Sequence, residues 1–211
     1  MLHTIYTTKL NLAVIVATSM FVSGCVSQPE QARPEIPRHY STIMSRHEGM
    51  RVLKEATQGN EVAYLRRGDT WINFGLFESR RSVLPDWDYV QPLQESDEFI
   101  HTHPDSPFPS LADIAQYFDL NIPRMIHTVR HPYGSTTFYL PHLSKEDEWF
   151  ISARYNPEHL TAQFQEEKKL GKSSSEAMQT ILNMENKKLG GAMVFSFESD
   201  EPHSYSEHSA R

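Results

Sequence analysis

The chain is 211 residues long, with 38 % hydrophobic and 22 % charged residues and a formal net charge of −7. At roughly 100–200 residues per domain, this length admits one compact domain with appendages, and the mixed composition excludes wholesale disorder and a multi-span membrane protein. An acidic balance without a basic cluster also argues against a DNA or RNA partner, whose electrostatic footprint is a basic patch.

Met1 to Lys9 holds one lysine and no acid, and Leu10 to Val22 is a run of apolar and small residues, the pattern of a secretory signal segment. The run falls short of the about 20 apolar residues a spanning helix needs, and it ends at once in Val22-Ser23-Gly24-Cys25. That ending resembles a bacterial lipobox. The resemblance implies that residues 1–24 are removed and that Cys25 becomes the N-terminus, carrying a thioether-linked diacylglycerol and an acylated amine. The expected location is the bacterial cell envelope, with membrane attachment through the lipid; Val26, rather than Asp, in the next position implies the outer membrane in a Gram-negative host. The alternative is an uncleaved signal anchor in which Cys25 is incidental. Loss of residues 1–24 takes Lys9 and no acid, so the formal charge becomes −8, and with Cys25 the only cysteine no disulfide is expected.

Residues 25–40 include three prolines among alternating charges and read as an extended tether. Ser41 to Gln58 opens with cap-type residues and spaces Ile43, Met44, Met50 and Leu53 on one helical face, which predicts a first helix. Short β-rich stretches follow at Glu61–Arg66, at Thr70–Leu76 after a Gly68-Asp69 hairpin turn, and at Phe99–Thr102. Between them, Pro85 to Asp97 is too proline-rich and acidic for a regular element and is expected to cross the surface near the site. Ser110–Leu120 is expected to be the second helix. Arg124–Arg130, Ser135–Leu140 and Glu148–Arg154 read as strands, Pro157–Leu170 and Ser173–Leu189 as helices, and Ala192–Phe197 as a last strand. From Glu198 the chain is expected to be a disordered tail. The pattern is that of the α/β class, an α+β arrangement with a mixed sheet flanked by helices.

One stretch carries chemistry: His101-Thr-His103-Pro104, a proline-rich connection, then Ser110-Leu-Ala-Asp113. Two histidines two apart on an extended segment project to the same side, so both imidazoles can reach one ion. Pro104 stops the strand, Ser110 suits a helix start, and Asp113 sits three positions in. Two nitrogens and one carboxylate leave the fourth tetrahedral position of a zinc ion for water, the pattern of a catalytic site. The alternatives are a Ser110–Asp113 capping box with no chemistry, and His101 and His103 as ordinary core or surface histidines. Two further histidines, His127 and His131, share one face of a strand without a nearby carboxylate and are read as structural. Trp71, Phe74, Trp87 and Tyr89 either line a groove or, as most buried aromatics do, pack in the core.

These residues resemble the JAB/MPN family of zinc metalloproteases, whose signature is H-[S/T]-H-P, a loop, then S-x-x-D, with a glutamate on an earlier strand. Pro109-Ser-Leu-Ala-Asp-Ile114 also resembles RadC-type members. The signature covers about 15 residues, and the order of predicted elements extends the likeness over residues 41–156, followed by a helical extension at 157–197 and the tail at 198–211. This chain departs in having nine residues between His103 and Asp113 where the family pattern has ten. The resemblance implies a Zn2+ held by His101, His103 and Asp113, and a glutamate base about 40 residues upstream, where Glu61 lies; Glu55 and Glu78 are the rival candidates. It further implies that zinc lowers the pKa of its water, Glu61 takes the proton, hydroxide attacks an amide or isopeptide carbonyl of a protein or peptide substrate, Ser110 stabilises the oxyanion, and Glu61 protonates the leaving amine. A non-catalytic domain that keeps the fold, with or without the metal, as an envelope binding module is the competing expectation. An amidohydrolase barrel is excluded by length, since removing residues 1–24 from 211 leaves 187 and eight βα units typically need about 250.

Overall fold

The computed structural model describes residues 40–122 and 124–201; the signal segment, Cys25, most of the tether and the tail beyond Glu201 lie outside the described residues. The chain forms a mixed α/β structure in which a seven-stranded sheet, ordered β1-β3-β2-β6-β7-β8-β9, is flanked by five helices. Its strands are β1 (Ser41–Ile43), β2 (Ala63–Arg67), β3 (Thr70–Asn73), β6 (Glu98–Thr102), β7 (Ile126–His131), β8 (Gly134–Tyr139) and β9 (Val194–Ser199). A separate hairpin is made of β4 (Gly75–Ser79) and β5 (Ser82–Pro85). Neighbours in the large sheet run antiparallel except β6 and β7, which are parallel and are joined by the helix α2 (Leu111–Leu120), as a parallel pair requires a crossover.

Alternation along the strands sorts side chains to two faces. Ile100 packs with Met50 and Leu53 of α1 (Arg46–Ala56) and with Trp71 in a small cluster on one face. Phe99, Val129, Phe138 and Phe195 join the main core on the other face, with Tyr117 of α2, Ile151 of α3 (Lys145–Arg154), Phe164 of α4 (Pro157–Lys169) and Ile181 of α5 (Ser174–Lys188). Residues 157–199 therefore share a core with residues 41–156, and β9 pairs with β8 over its full length. Among the described residues no helix is long and apolar enough to cross a membrane.

Three expectations are corrected. The predicted helix at 41–58 begins only at Arg46, capped by Ser45, because Ser41–Ile43 pairs with β3 as an edge strand. Glu148–Arg154 is helical, not extended: Ser144 accepts a hydrogen bond from the Asp147 N–H, and Glu146, Asp147 and Glu148 place three acids in the first turn, where the helix dipole favours them. These terminal signals outweigh the aromatic and β-branched character of Trp149-Phe150-Ile151. Finally, β9 extends through Ser199, and Asp200 and Glu201 are tied down by Arg130 and by Ser174 and Lys168, so the chain stays ordered past Glu198.

Elsewhere the turn chemistry behaves as expected. Gly68, at φ +60°, supplies the left-handed residue of the Gly68-Asp69 turn between β2 and β3. Arg67 of β2 grips the fully buried Asp97 carboxylate at 2.6 and 2.8 Å and also donates to the carbonyls of Val90 and Pro92, which fastens the irregular 86–97 segment to the C-terminal end of β2.

Candidate metal centre

The strand β6 carries the H-x-H pair. His101 pairs across to Ala63 of β2 and to Val129 of β7, and the His103 N–H donates to the Arg130 carbonyl at 2.8 Å, so strand pairing persists to the residue before Pro104. Both imidazoles are buried. His103 Nδ1 lies 3.0 Å from the Phe108 carbonyl oxygen. A carbonyl only accepts, so Nδ1 carries a proton and Nε2 is turned toward His101 and Asp113.

Across the loop, Ser110 caps α2 in a full capping box. Its Oγ accepts from the Asp113 N–H, while its own N–H and hydroxyl donate to Asp113 Oδ2 at 2.6 and 2.8 Å. The capping reading and the ligand reading are thus compatible, because the box engages Oδ2 and leaves Oδ1 toward His101. The three side chains converge: His101 Nε2 to His103 Nε2 is 3.0 Å, His101 Nε2 to Asp113 Oδ1 is 3.3 Å, and His103 Nε2 to Asp113 Oδ2 is 3.4 Å. One ligand atom from each residue lies within 4.8 Å of the others, close enough for one ion to bridge all three. His101, His103 and Asp113 can therefore hold a metal ion, and they are the one such group found among the described residues.

Electrostatics follow from that proximity. Burial by itself raises the Asp113 pKa, but His101 and His103 outweigh it and hold the carboxylate well below its usual range. Burial alone lowers the His103 pKa, whereas the Asp113 hydrogen bond and charge, with Glu61 behind, raise it. The donor set is one anion and two bases, the combination a divalent cation takes up.

The register of β2 against β6 decides which glutamate is near. Ala63 faces His101, and the Thr102 N–H donates to the Val62 carbonyl, so two further residues back along β2 Glu61 falls opposite His103. Its N–H donates to Ser79 O at 2.6 Å, which ties the tip of the β4–β5 hairpin to the same spot. Glu61, His103, Ser110 and Asp113 line one cleft of about 830 Å³, walled by apolar groups such as Val83 and Phe108, with His101 behind them. Burial pushes the Glu61 pKa up to about 7; His103 pulls it down, and Asp113 and Asp105 push it further up. Of the rival bases, Glu55 is exposed on α1 and Glu78 lies on β4, and neither lines the cleft.

Other residues fall elsewhere. Trp71 and Phe74 are core, Trp87 packs on Phe74 and Phe99, Tyr89 is exposed, and none lines the cleft; of the 85–97 segment only Pro85 does. His127 is packed among Phe99, Tyr117 and Phe138 with no hydrogen-bond partner on either ring nitrogen, and burial drives its pKa down to about 3. His131 is likewise held well below its usual value, by burial and then by Arg130. Both are neutral core histidines. The hairpin strand β5, with Val83 and Pro85 in the cleft wall, and the loop contacts of Tyr155 and Thr161 were not legible in the sequence; only the Arg80-Arg81 turn between two apolar pairs hints at the hairpin. No model of a known protein family, no curated protein and no solved structure matches the chain.

Proposed function

We propose that the chain is a zinc-dependent hydrolase of amide or isopeptide bonds, of the JAB/MPN metallopeptidase kind, carried in the cell envelope by a lipid on Cys25. The observation that supports it most is the convergence of Glu61, His103 and Asp113 on one cleft, with His101 directly behind. A zinc ion held by the two histidines and Asp113 supplies a Lewis acid and an acidified water. His103 is kept in the ligating tautomer by Phe108, and Asp113 is held ionised by its neighbours. Glu61, with a pKa near 7, suits a group that accepts a proton and returns it to a leaving amine. Ser110 lines the cleft, yet its hydroxyl is donated to Asp113, so a role on a developing oxyanion requires that hydroxyl to turn when substrate enters.

The test uses the full chain purified in detergent. Metal content by mass spectrometry is expected near one zinc per chain and absent from the His101→Ala/His103→Ala double variant. Turnover of a quenched peptide and isopeptide library is expected to be lost with chelator and restored by zinc. Absence of zinc from the parent chain refutes the reading. The competing reading, a binding module with a metal but no chemistry, is favoured by the Ser110 hydroxyl being engaged with Asp113; stoichiometric zinc with no turnover on any member of the library selects it. The envelope assignment rests on the sequence alone and is checked by feeding cells a labelled fatty acid, expected to label the parent and not Cys25→Ser; an unlabelled parent refutes it.

A further inference from the structure

The segment from Pro104 to Pro109 joins one metal-ligating strand to the other ligand's helix, and three of its six residues are prolines. Prolines donate no backbone N–H, so this loop has few hydrogen bonds of its own with which to hold its shape. It is held from outside. The Phe108 carbonyl accepts from His103 Nδ1, as above, and the Ser106 hydroxyl lies 3.0 Å from Thr161 Oγ1 on α4. The Pro109 carbonyl accepts from the Tyr155 hydroxyl at 2.8 Å. Tyr155 is 3 % exposed, terminates α3, and has its ring stacked on Phe195 of β9, so its hydroxyl has little freedom.

The Pro109 carbonyl and the Ser110 N–H are two ends of one planar peptide group. That N–H makes the 2.6 Å bond to Asp113 Oδ2. A continuous path thus runs from Tyr155 O–H to the Pro109 carbonyl, across the peptide plane, and from Ser110 N–H to the carboxylate facing both histidines. Bonds in such a chain polarise one another, and tilting the peptide at one end tilts the donor at the other. We propose that Tyr155 is a positioning residue of the metal centre, orienting Asp113 through the Pro109–Ser110 peptide, so that the C-terminal end of α3 forms part of the metal site. This rests on the metal-centre reading above. Groups that orient ligands in this way typically contribute about 10–100-fold to metal affinity.

The experiment compares the full chain in detergent with Tyr155→Phe, which keeps the stacked ring and removes only the hydroxyl. Tyr117→Phe serves as the matched control, because it also deletes a buried hydroxyl-to-carbonyl bond, from Tyr117 to the Met125 carbonyl, away from the loop. Zinc affinity is measured by competition with a chelating dye, and ligand geometry by the visible spectrum of the cobalt-substituted protein. Tyr155→Phe is expected to bind zinc about 10–100-fold more weakly with shifted cobalt bands, and Tyr117→Phe to match the parent in both. Parent-like affinity and spectrum in Tyr155→Phe overturn the proposal, as does an equal loss in the two variants. If Tyr155→Phe fails to fold, a ring-fluorinated tyrosine placed at 155, whose more acidic hydroxyl donates more strongly to the Pro109 carbonyl, is expected to shift the cobalt bands, and bands identical to the parent's overturn the proposal. A parent chain that takes up neither metal refutes the metal-centre reading itself.

Discussion

Asp113 both completes the cap of α2 and faces the two histidines, and Asp113→Asn separates the two. The amide keeps a carbonyl oxygen to accept from the Ser110 N–H, so the capping bond at 2.6 Å can persist, while the charge that faces His101 and His103 at 3.3 and 3.4 Å is lost. If the three residues ligate the ion, replacing one of them by a neutral group is expected to weaken zinc binding by at least about 100-fold, or about 2.8 kcal/mol at about 1.4 kcal/mol per tenfold. With zinc at about 100 times the parent's Kd, binding stabilises the parent by about 2.7 kcal/mol and the variant by about 0.4 kcal/mol or less. At about 2–4 °C per kcal/mol for a chain of this size, zinc should raise the parent Tm by about 5–11 °C and the variant Tm by about 1–2 °C at most. Thermal unfolding followed by circular dichroism, with zinc and with chelator, reads this directly. Ser110→Ala in the same assay should lower Tm in both conditions by the about 1 kcal/mol of a lost cap while keeping most of the zinc response. If Asp113→Asn keeps the full zinc-dependent rise, Asp113 is a capping residue only and the three-ligand site is wrong.

Further outcomes follow from the same structure. Glu61→Gln should keep stoichiometric zinc and lose hydrolysis by at least about 100-fold, the lower range for a general base; undiminished turnover removes Glu61 from that role. Tyr155→Phe should weaken zinc binding as set out above. Gly49→Ala should destabilise the chain by about 1–3 kcal/mol in urea unfolding, because a Cβ there meets the Trp71 ring, which is 1 % exposed and anchored to the Met44 carbonyl; an unchanged midpoint would show that the ring can move. His127 has its folded pKa depressed to about 3 by burial, so acidification protonates the unfolded chain first and stability is lost as pH falls below about 6.5. In chelator, between pH 6.5 and 5 the parent should therefore lose up to about 2 kcal/mol more than His127→Leu, at about 1.4 kcal/mol per pH unit; parallel pH profiles contradict a neutral buried His127.

Much of the fold was legible locally. The helices at 110–120, 157–170 and 173–189 appear within a residue or so of expectation because Ser110, Asn156 and Ser173 supply caps that act on their own first turns. Where a cap and the side-chain character disagreed, as at Trp149-Phe150-Ile151, counting β-branched and aromatic residues gave the wrong element. The hairpin β4–β5 escaped because its register slips between Gly75 and Phe77, which blurs the alternation that marks a strand.

By itself the sequence determined the grouping of His101, His103 and Asp113, since the two-residue period of a strand puts His101 and His103 on one side and the Ser110 cap puts Asp113 at the first turn of α2, both local consequences of backbone geometry. Tertiary structure decided what surrounds them. Choosing Glu61 over Glu55 and Glu78 depends on the pairing of β2 with β6, a contact between segments about 40 residues apart, and one slip of that register would turn Glu61 away from His103. The anchoring of the proline-rich loop by Tyr155 and Thr161 depends on the C-terminal helices folding back over the same core, and no periodicity in a linear chain records which hydroxyl will meet which carbonyl.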